Sequence, residues 1–466
     1  MLKRQDLIQH LNATIPDEIR DIPSNLPNII QTDSRSIRPE HWFLPIIGET
    51  FDGHDFIRQA MEKGCQGFFY QADHCDQIPS DLRSRGIEIP DSLEFFQGLA
   101  SFWRNLHKAK VVAITGSNGK TTAKEMLSHI LTKAGNTLYT KGSYNNEIGV
   151  PITLCQLTTD HQFAVIEMGA RHKGDIEALC NIANPDICIV LNIGVAHLGE
   201  FGSRETLRST KQEMLTTTRK DAIAIVPHDD SDTVNVAKKH HDRVLTFGLE
   251  EGDIQVKLKY LTDGAMTLAI TSPQEAFQET VPVYHQAYPI NFAASVAASF
   301  GLDLSSLSIR QGMKSFGGVS QRFSISRFPT MTLIDDTYNA NPQSMDAGLS
   351  SVNAAFPNAD TILVLGDMLE LGDESQQAHY NVGYYCAESV RPKMLVAIGP
   401  LSRAMLDGAR KGGISEDKLL HFDSADDFVP QLEEILQKGN LLYAKASNGI
   451  KLNRIIQNAR QILEKA

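Results

Sequence analysis

The stretch 111-VVAITGSNGKTT-122 decides how this chain reads. Residues 111–115 are continuously apolar or β-branched, the pattern of a strand buried on both faces of a parallel sheet. The run opens into Gly116-Ser117-Asn118-Gly119, then Lys120, Thr121 and Thr122, and continues as the helical stretch 121-TTAKEMLSHILTKAG-135, with Gly135 placed to cap it. Gly116 and Gly119 allow the backbone to curl so that successive N–H groups face phosphate oxygens, and the helix N-terminus adds the positive end of its dipole. Lys120 is then placed to reach the β- and γ-phosphates, and the Thr121 hydroxyl to face Mg²⁺. A strict G-x-x-x-x-G-K-[ST] loop needs glycine at 114, where Ile114 stands. The loop therefore points to ATP without fixing the class of enzyme.

Outward from it, similar apolar runs recur at 163-FAVIEM-168, 187-ICIVL-191, 223-IAIV-226, 332-TLID-335, 361-TILVLG-366 and 394-MLVAIG-399, with helical stretches between them. Alternation on this scale predicts an α/β protein built on mostly parallel sheets. The pattern lapses between about 250 and 320, read as polar loops and the Ala-rich helix 291-NFAASVAASF-300, and resumes at 332 after the turn Ser315-Phe316-Gly317-Gly318. Short strands and turn residues precede residue 90. The expectation is three domains: a small α/β N-terminal domain at 1–89, a central P-loop-type ATPase domain at 90–315 and a Rossmann-like domain at 316–466. A length of 466 residues agrees, at roughly 150 residues per domain.

Composition is that of an ordinary globular protein, 42% hydrophobic and 21% charged, which excludes wholesale disorder. Lys+Arg 44 against Asp+Glu 56 leaves a formal net charge of −12, a field that disfavours nucleic acid and anionic membranes as partners. Six scattered cysteines without a C-x-x-C pair read as reduced thiols. The N-terminal MLKRQDLIQHLN has no apolar core of a secretion signal, and no apolar run approaches the roughly 20 residues of a membrane span. A soluble, cytoplasmic, monomeric protein is expected.

An ATP site needs oxygen or imidazole ligands for Mg²⁺ at the ends of neighbouring strands. Glu167 closes the run 163–168, and His197 follows 187-ICIVLNIG-194. Either residue alone is commonly a surface or capping group; their shared position beside the phosphate loop makes them metal candidates.

Taken together, 115-TGSNGKT-121, 167-EMG-169, 192-NIGVAH-197 and 335-DDTYNANP-342 resemble the Mur ligases, ATP-dependent amide-forming enzymes of bacterial peptidoglycan synthesis, on which cell shape and division depend. Three further stretches, 32-TDSRSIRPEHWFLPIIGETFDGHDF-56, 143-SYNNEIGVP-151 and the pair 338-YNANP-342 with 365-LGDMLELG-372, are similar to the branch that adds D-alanyl-D-alanine to UDP-N-acetylmuramoyl-tripeptide. The resemblance runs the length of the chain. It implies ATP and Mg²⁺ as cofactors and those two small molecules as substrates, with the N-terminal domain holding the UDP-sugar and the C-terminal domain closing over the cleft.

Residue by residue, the resemblance puts Asp33, Ser34 and Arg35 toward the UDP-sugar and gives Thr115, Gly116, Ser117, Asn118, Gly119, Lys120 and Thr121 to ATP. It gives Glu167 and His197 to Mg²⁺, Asn291 and Arg322 to the nucleotide, and Asp336 to the ribose. Asn145, Asn146, Tyr338, Asn339 and Asn341 would line the substrate cleft. The chemistry suits these roles: Arg322 offers a planar fork to phosphate oxygens, and Asp336 can accept ribose hydroxyls. Lys211, in 207-LRSTKQEML-215, falls where the family commonly carries a lysine carbamate, an oxygen ligand for a second Mg²⁺; an ordinary ion-pairing lysine is the competing reading.

Two departures stand out. Many relatives carry His-Asn shortly before the residue matching Asn291, where this chain has Ala287 and Tyr288, and a C-terminal K-G-S-R is here Lys445-Ala446-Ser447-Asn448. The implied reaction is acyl activation through an acyl phosphate, with Lys120, Glu167, His197 and Lys211 as its catalytic groups. A sister ligase adding a single amino acid, or a folylpolyglutamate synthase, competes with this reading, separable by the 32–56 stretch and by which amine supports ADP formation. A P-loop regulatory ATPase would need no amine and leaves 338–342 unexplained.

Overall fold

The computed structural model describes residues 2–19, 21–48, 50–194, 203–262, 264–369 and 371–465. His197 lies outside the described residues.

Three sheets organise them. The first is four-stranded and parallel, in the order Ile30–Gln31, Trp42–Phe43, Gly67–Gln71, Gly86–Ile89. The second runs, edge to edge, Ala276–Val281, Ala265–Thr271, Ile254–Thr262, Arg243–Gly248, Ile223–Pro227, Ile187–Val190, Lys110–Thr115, Phe163–Glu167, Thr137–Tyr139. The third runs Ser324–Arg327, Thr332–Asp336, Leu441–Lys445, Thr361–Gly366, Met394–Ile398, Leu419–Phe422, parallel except for its first pair.

In the second sheet, Lys110–Thr115 lies between Phe163–Glu167 and Ile187–Val190, parallel to both, with Ile114 opposite Glu167 and Thr115 opposite Val190. The chain visits one side of this strand and then the other, so the strand order reverses here. The crevice beyond such a reversal is where open α/β sheets bind ligands. Every continuously apolar run proves to be a buried strand.

The region expected as polar loops between about 250 and 281 is instead a β-meander, its strands Ile254–Thr262, Ala265–Thr271 and Ala276–Val281 paired antiparallel. The reason is one-sided burial. Met266, Leu268 and Ile270 are buried while Ala265, Thr267 and Ala269 between them are partly exposed, so the strand alternates and carries no continuous apolar run. The helix after the phosphate loop also ends earlier than expected. It spans Lys120–Leu131, and the turn that follows reaches Gly135 at a site where a Cβ would meet the Gln162 side chain at 2.2 Å. Gly135 does not adopt the left-handed backbone of a cap.

One continuous core joins the first sheet to a face of the second through the helix Ser92–Leu106, with Phe69, Phe95, Leu99, Val111 and Ala164 all fully or nearly fully buried. Arg104 of that helix donates to the carbonyls of Ala183 and Asn184 and to Asp186, which also accepts from Arg219 and from the Val111 N–H. Helix Tyr288–Gly301 covers the opposite face against Lys120–Leu131, where Ser295 donates to the Ala123 carbonyl. That contact brings the start of the helix over the phosphate loop.

Candidate active site

The loop 116–119 leaves the buried strand and turns into a helix whose N-cap is Gly119, at φ +81. Only glycine takes that backbone without strain. The space is filled as well, since a Cβ there would lie 2.7 Å from Asn291 Oδ1. Asn192 clamps the loop from the next strand end. Its carbonyl accepts from the Ser117 N–H at 3.0 Å, its Oδ1 from the Asn118 N–H at 2.9 Å, and its amide donates to the Asn118 carbonyl at 2.9 Å. Two loop N–H groups expected to face phosphate thus serve to hold the loop's shape. The first-turn N–H groups of the following helix have no intrahelical acceptor and are left to an anion.

Around this loop opens a cavity of about 680 Å³ between the second and third sheets. Of the residues singled out in the sequence, Ser117, Asn118, Gly119, Lys120, Thr121, Asn145, Glu167, Asn291, Arg322, Asp336, Tyr338, Asn339 and Asn341 line it. Lys120 Nζ donates to the carbonyls of Gly116 at 2.7 Å and Ser117 at 3.2 Å. Burial pushes its pKa down, the Glu167 carboxylate opposes that shift, and the Arg322 charge adds to it. Glu167 is 2% exposed at its strand end, and its Oε1 accepts from Asn145 at 2.8 Å. Its Oε2 is buried and has no hydrogen-bond partner among the described residues. Arg322 donates to the Thr121 hydroxyl at 3.0 Å and stacks 4.0 Å above the Tyr338 ring. Asp336 Oδ2 takes hydrogen bonds from Tyr443 at 2.9 Å and Lys445 at 2.8 Å.

The third sheet's domain also touches the phosphate loop directly. Asn118 donates to Gln343 at 3.1 Å and accepts from Asn341 at 3.0 Å, both residues sitting at the start of helix Pro342–Ala355.

Other sequence candidates lie elsewhere. Thr115 is fully buried and donates to the Met168 carbonyl, outside the cavity wall, as is Gly116. Asn146 accepts from the Gly149 N–H at a helix start. Lys211 is nearly fully buried on helix Arg204–Thr217, where burial and then the nearby Lys120 charge push its pKa down to about 7. Asp33, Ser34 and Arg35 sit in the N-terminal domain. Asp33 accepts from the Arg35 backbone and guanidinium, Ser34 donates to Gln59, and Lys63 donates to the Ser34 and Arg35 carbonyls.

Sequence reading missed the lining residues Ser143, Arg171, His285 and Gln343. Ser143 opens the quoted stretch 143–151 and Gln343 follows 338-YNANP-342, while Arg171 and His285 stand outside the quoted motifs and reach the cavity through tertiary packing.

A second cluster, Asp52, His54 and His74, brings three potential metal ligands within 4.8 Å in the N-terminal domain. Its hydrogen bonds argue for an ion network instead. His54 Nε2 accepts from the Gln71 N–H at 3.1 Å, so the ring proton sits on Nδ1, which faces Asp52 Oδ1 at 2.7 Å. That nitrogen has no lone pair to give a metal. His74 bonds Asp52 and Asp73 through its two ring nitrogens. Burial opposes its charge, but the two carboxylates outweigh it and raise its pKa. Its stabilising contribution is then complete below its ordinary value of about 6.5 and is lost as pH rises through the raised one. Melting temperatures of the protein and of His74→Gln, compared between pH 6 and pH 9, should converge as pH rises.

Comparison with known proteins places this site in context. Residues 27–104 match the description "Mur ligase family, catalytic domain", 114–299 "Mur ligase middle domain" and 321–448 "Mur ligase, glutamate ligase domain". The chain is 32% identical to the UDP-N-acetylmuramoyl-tripeptide–D-alanyl-D-alanine ligase of Synechocystis, over 92% of this chain and 91% of that one. Its fold is similar to the crystal structure of MurF from Acinetobacter baumannii, with a TM-score of 0.85, 31% identity and 98% of both chains covered. It is also similar to MurF ligase from Thermotoga maritima solved in complex with ADP, at TM-score 0.82 and 26% identity, over 95% of this chain and 100% of that one.

Proposed function

The chain belongs to the Mur ligase family, and from that footing we propose that it joins D-alanyl-D-alanine to UDP-N-acetylmuramoyl-tripeptide, forming ADP and phosphate, in the cytoplasm. The observation that carries this reading is a single cavity walled by both the phosphate-loop domain and the 338-YNANP-342 segment. The three tasks divide along 1–89 for the UDP-sugar, 90–315 for ATP and 316–466 for closing on the amine.

In the first step the terminal carboxylate of the tripeptide attacks the γ-phosphorus of ATP. The bond to the bridging oxygen breaks, ADP leaves, and an acyl phosphate remains. Next the D-Ala-D-Ala amine, having lost a proton, attacks the acyl carbon, and inorganic phosphate leaves as the amide forms. No protein nucleophile is needed. Lys120 and Arg322 offset charge on the transferring phosphoryl group, and the first-turn N–H groups hold the phosphates. Asp336 and Asn291 position the nucleoside, Asn145, Tyr338, Asn339 and Asn341 the acceptor groups, and Asp33, Ser34 and Arg35 the UDP-sugar. Packing of the two domains around the cavity excludes water that would hydrolyse the acyl phosphate.

The donor set fits Mg²⁺. A carboxylate oxygen without a hydrogen-bond partner among the described residues, Glu167 Oε2, and the Thr121 hydroxyl line one cavity and are hard-ligand chemistry, and a buried carboxylate oxygen left without a partner is otherwise costly. Thr121, Glu167, His197 and Lys211 as its carbamate are the residues that would hold the metal. Bound Mg²⁺ supplies positive charge to the phosphate oxygens. Burial, which holds the Lys211 pKa down to about 7, favours the neutral amine, and that amine adds to CO₂ to give the carbamate and a proton. Lys211→Ala should lose most activity and regain part of it with acetate or formate. Failure of rescue, with an unmodified mass for Lys211 in the parent protein, would remove the carbamate from the account.

The amine decides between this reading and a sister ligase. With UDP-muramoyl-tripeptide and ATP present, ADP release should require D-Ala-D-Ala and be negligible with single amino acids. The reverse preference would assign the chain to another branch of the family.

A further inference from the structure

The cavity lining joins two kinds of chemistry. Lys120, Thr121, Glu167 and Arg322 are the equipment for phosphates. Tyr288, Ala287 and Ala347 add aromatic and apolar surface of the kind that takes a nucleobase. A base gains packing from such a wall, but discrimination requires a hydrogen-bonding group that is not already engaged.

The Tyr288 hydroxyl, standing at one of the two departures in the sequence, is engaged, donating to the Arg322 carbonyl at 3.2 Å. His285 differs. Its Nδ1 accepts from the Ala287 N–H at 3.1 Å, which places the ring proton on Nε2. That Nε2–H has no acceptor among the described residues, although the side chain lines the cavity. The ring is fixed on both sides, tilted against Tyr288 at 5.3 Å and edge-on to Phe323 at 5.0 Å. Burial pushes its pKa down to about 4, Asp336 opposing the shift and Lys445 adding to it, so the ring is a neutral, oriented donor throughout the physiological range.

We propose that His285 reads the nucleobase of ATP, its Nε2–H donating to a ring-nitrogen acceptor of adenine, and so sets the nucleotide preference of this chain. The inference rests on the reading that this cavity holds ATP. No short motif announces the residue, and a donor at this position does for the base what Tyr288, engaged elsewhere, cannot.

The test is a double-perturbation cycle on the full-length protein. Binding of ATP and of its 1-deaza, 3-deaza and 7-deaza analogues, each lacking one ring-nitrogen acceptor, is measured by calorimetry for the parent protein and for His285→Phe. That substitution keeps a ring against Phe323 and removes the donor. In the parent protein one analogue should bind about 5- to 10-fold more weakly than ATP, the worth of a single neutral hydrogen bond. In H285F, ATP itself should weaken by a similar factor, and the penalty for that analogue should vanish. Equal binding of all four nucleotides to the parent protein, or an unchanged deaza penalty in H285F, overturns the proposal. Because the first of these uses only the parent protein, a misfolded variant would not shelter it. Failure of the parent protein to bind ATP at all would instead count against the ATP reading of the cavity.

Discussion

Replacing Lys120 with alanine should lower substrate-dependent ADP release by about 10³-fold while leaving the protein folded, an effect of the size expected when a preorganised charge at a phosphoryl-transfer centre is removed. The two halves of this expectation have separate physical grounds. The loss follows from position: Nζ lies within 2.7 Å of the Gly116 carbonyl, inside the curl of the phosphate loop. Folding survives because the loop's shape is held by Asn192, whose hydrogen bonds to Ser117 and Asn118 do not involve Lys120. Burial of this ammonium depresses its pKa, so the folded state carries a desolvation cost that alanine relieves. Melting temperature should hold or rise. Lys120→Arg, which keeps the charge but alters its shape and reach, should also fail to restore full turnover. Near-normal turnover in Lys120→Ala would overturn the assignment of the loop.

Glu167→Gln is the second large effect, and it too should separate activity from stability. The carboxylate is buried at the strand end with one oxygen held by Asn145 and the other without a partner among the described residues. A neutral amide in that place costs less to bury than an unpaired charge, so the variant should be at least as stable as the parent. Activity should fall by roughly 10²-fold or more, with a higher Mg²⁺ concentration needed for half-maximal rate, because a direct ligand outranks the 10- to 100-fold worth of an outer-shell group. Asn145→Ala, which only releases Oε1, should cost about 10-fold. If Glu167→Gln instead lost stability and kept its Mg²⁺ dependence, the residue would be structural.

Much of this arrangement was legible in the sequence because burial writes itself into composition. The strands Lys110–Thr115, Phe163–Glu167 and Ile187–Val190 are covered on both faces, so their sequences are continuously apolar, and the polar residue that ends one of them, Glu167, stands out as a site residue. Strands covered on one face were not legible in the same way. Ala265–Thr271 alternates buried and part-exposed positions, and its small residues Ala265 and Ala269 blur even that. The site shows the same division. Residues that act where the backbone turns, such as Gly119 and Lys120, belong to a local pattern with a mechanism. His285 reaches the cavity only because two domains pack together, and no quoted motif contains it, whereas Gln343 stands directly after 338-YNANP-342. Asn192 belongs to both classes. It sits in a recognisable segment, yet its task of clamping the phosphate loop depends on which strand is its neighbour.

The most direct test of the central claim, that a carboxylate is activated as an acyl phosphate in this cavity, follows the oxygen atoms. The terminal carboxylate of UDP-muramoyl-tripeptide is labelled with ¹⁸O and incubated with the enzyme, ATP, Mg²⁺ and D-Ala-D-Ala, and the inorganic phosphate is analysed by mass spectrometry. Attack of that carboxylate on the γ-phosphorus should leave one labelled oxygen in each phosphate released, with ADP unlabelled. Unlabelled phosphate, or label carried into AMP, would contradict the account.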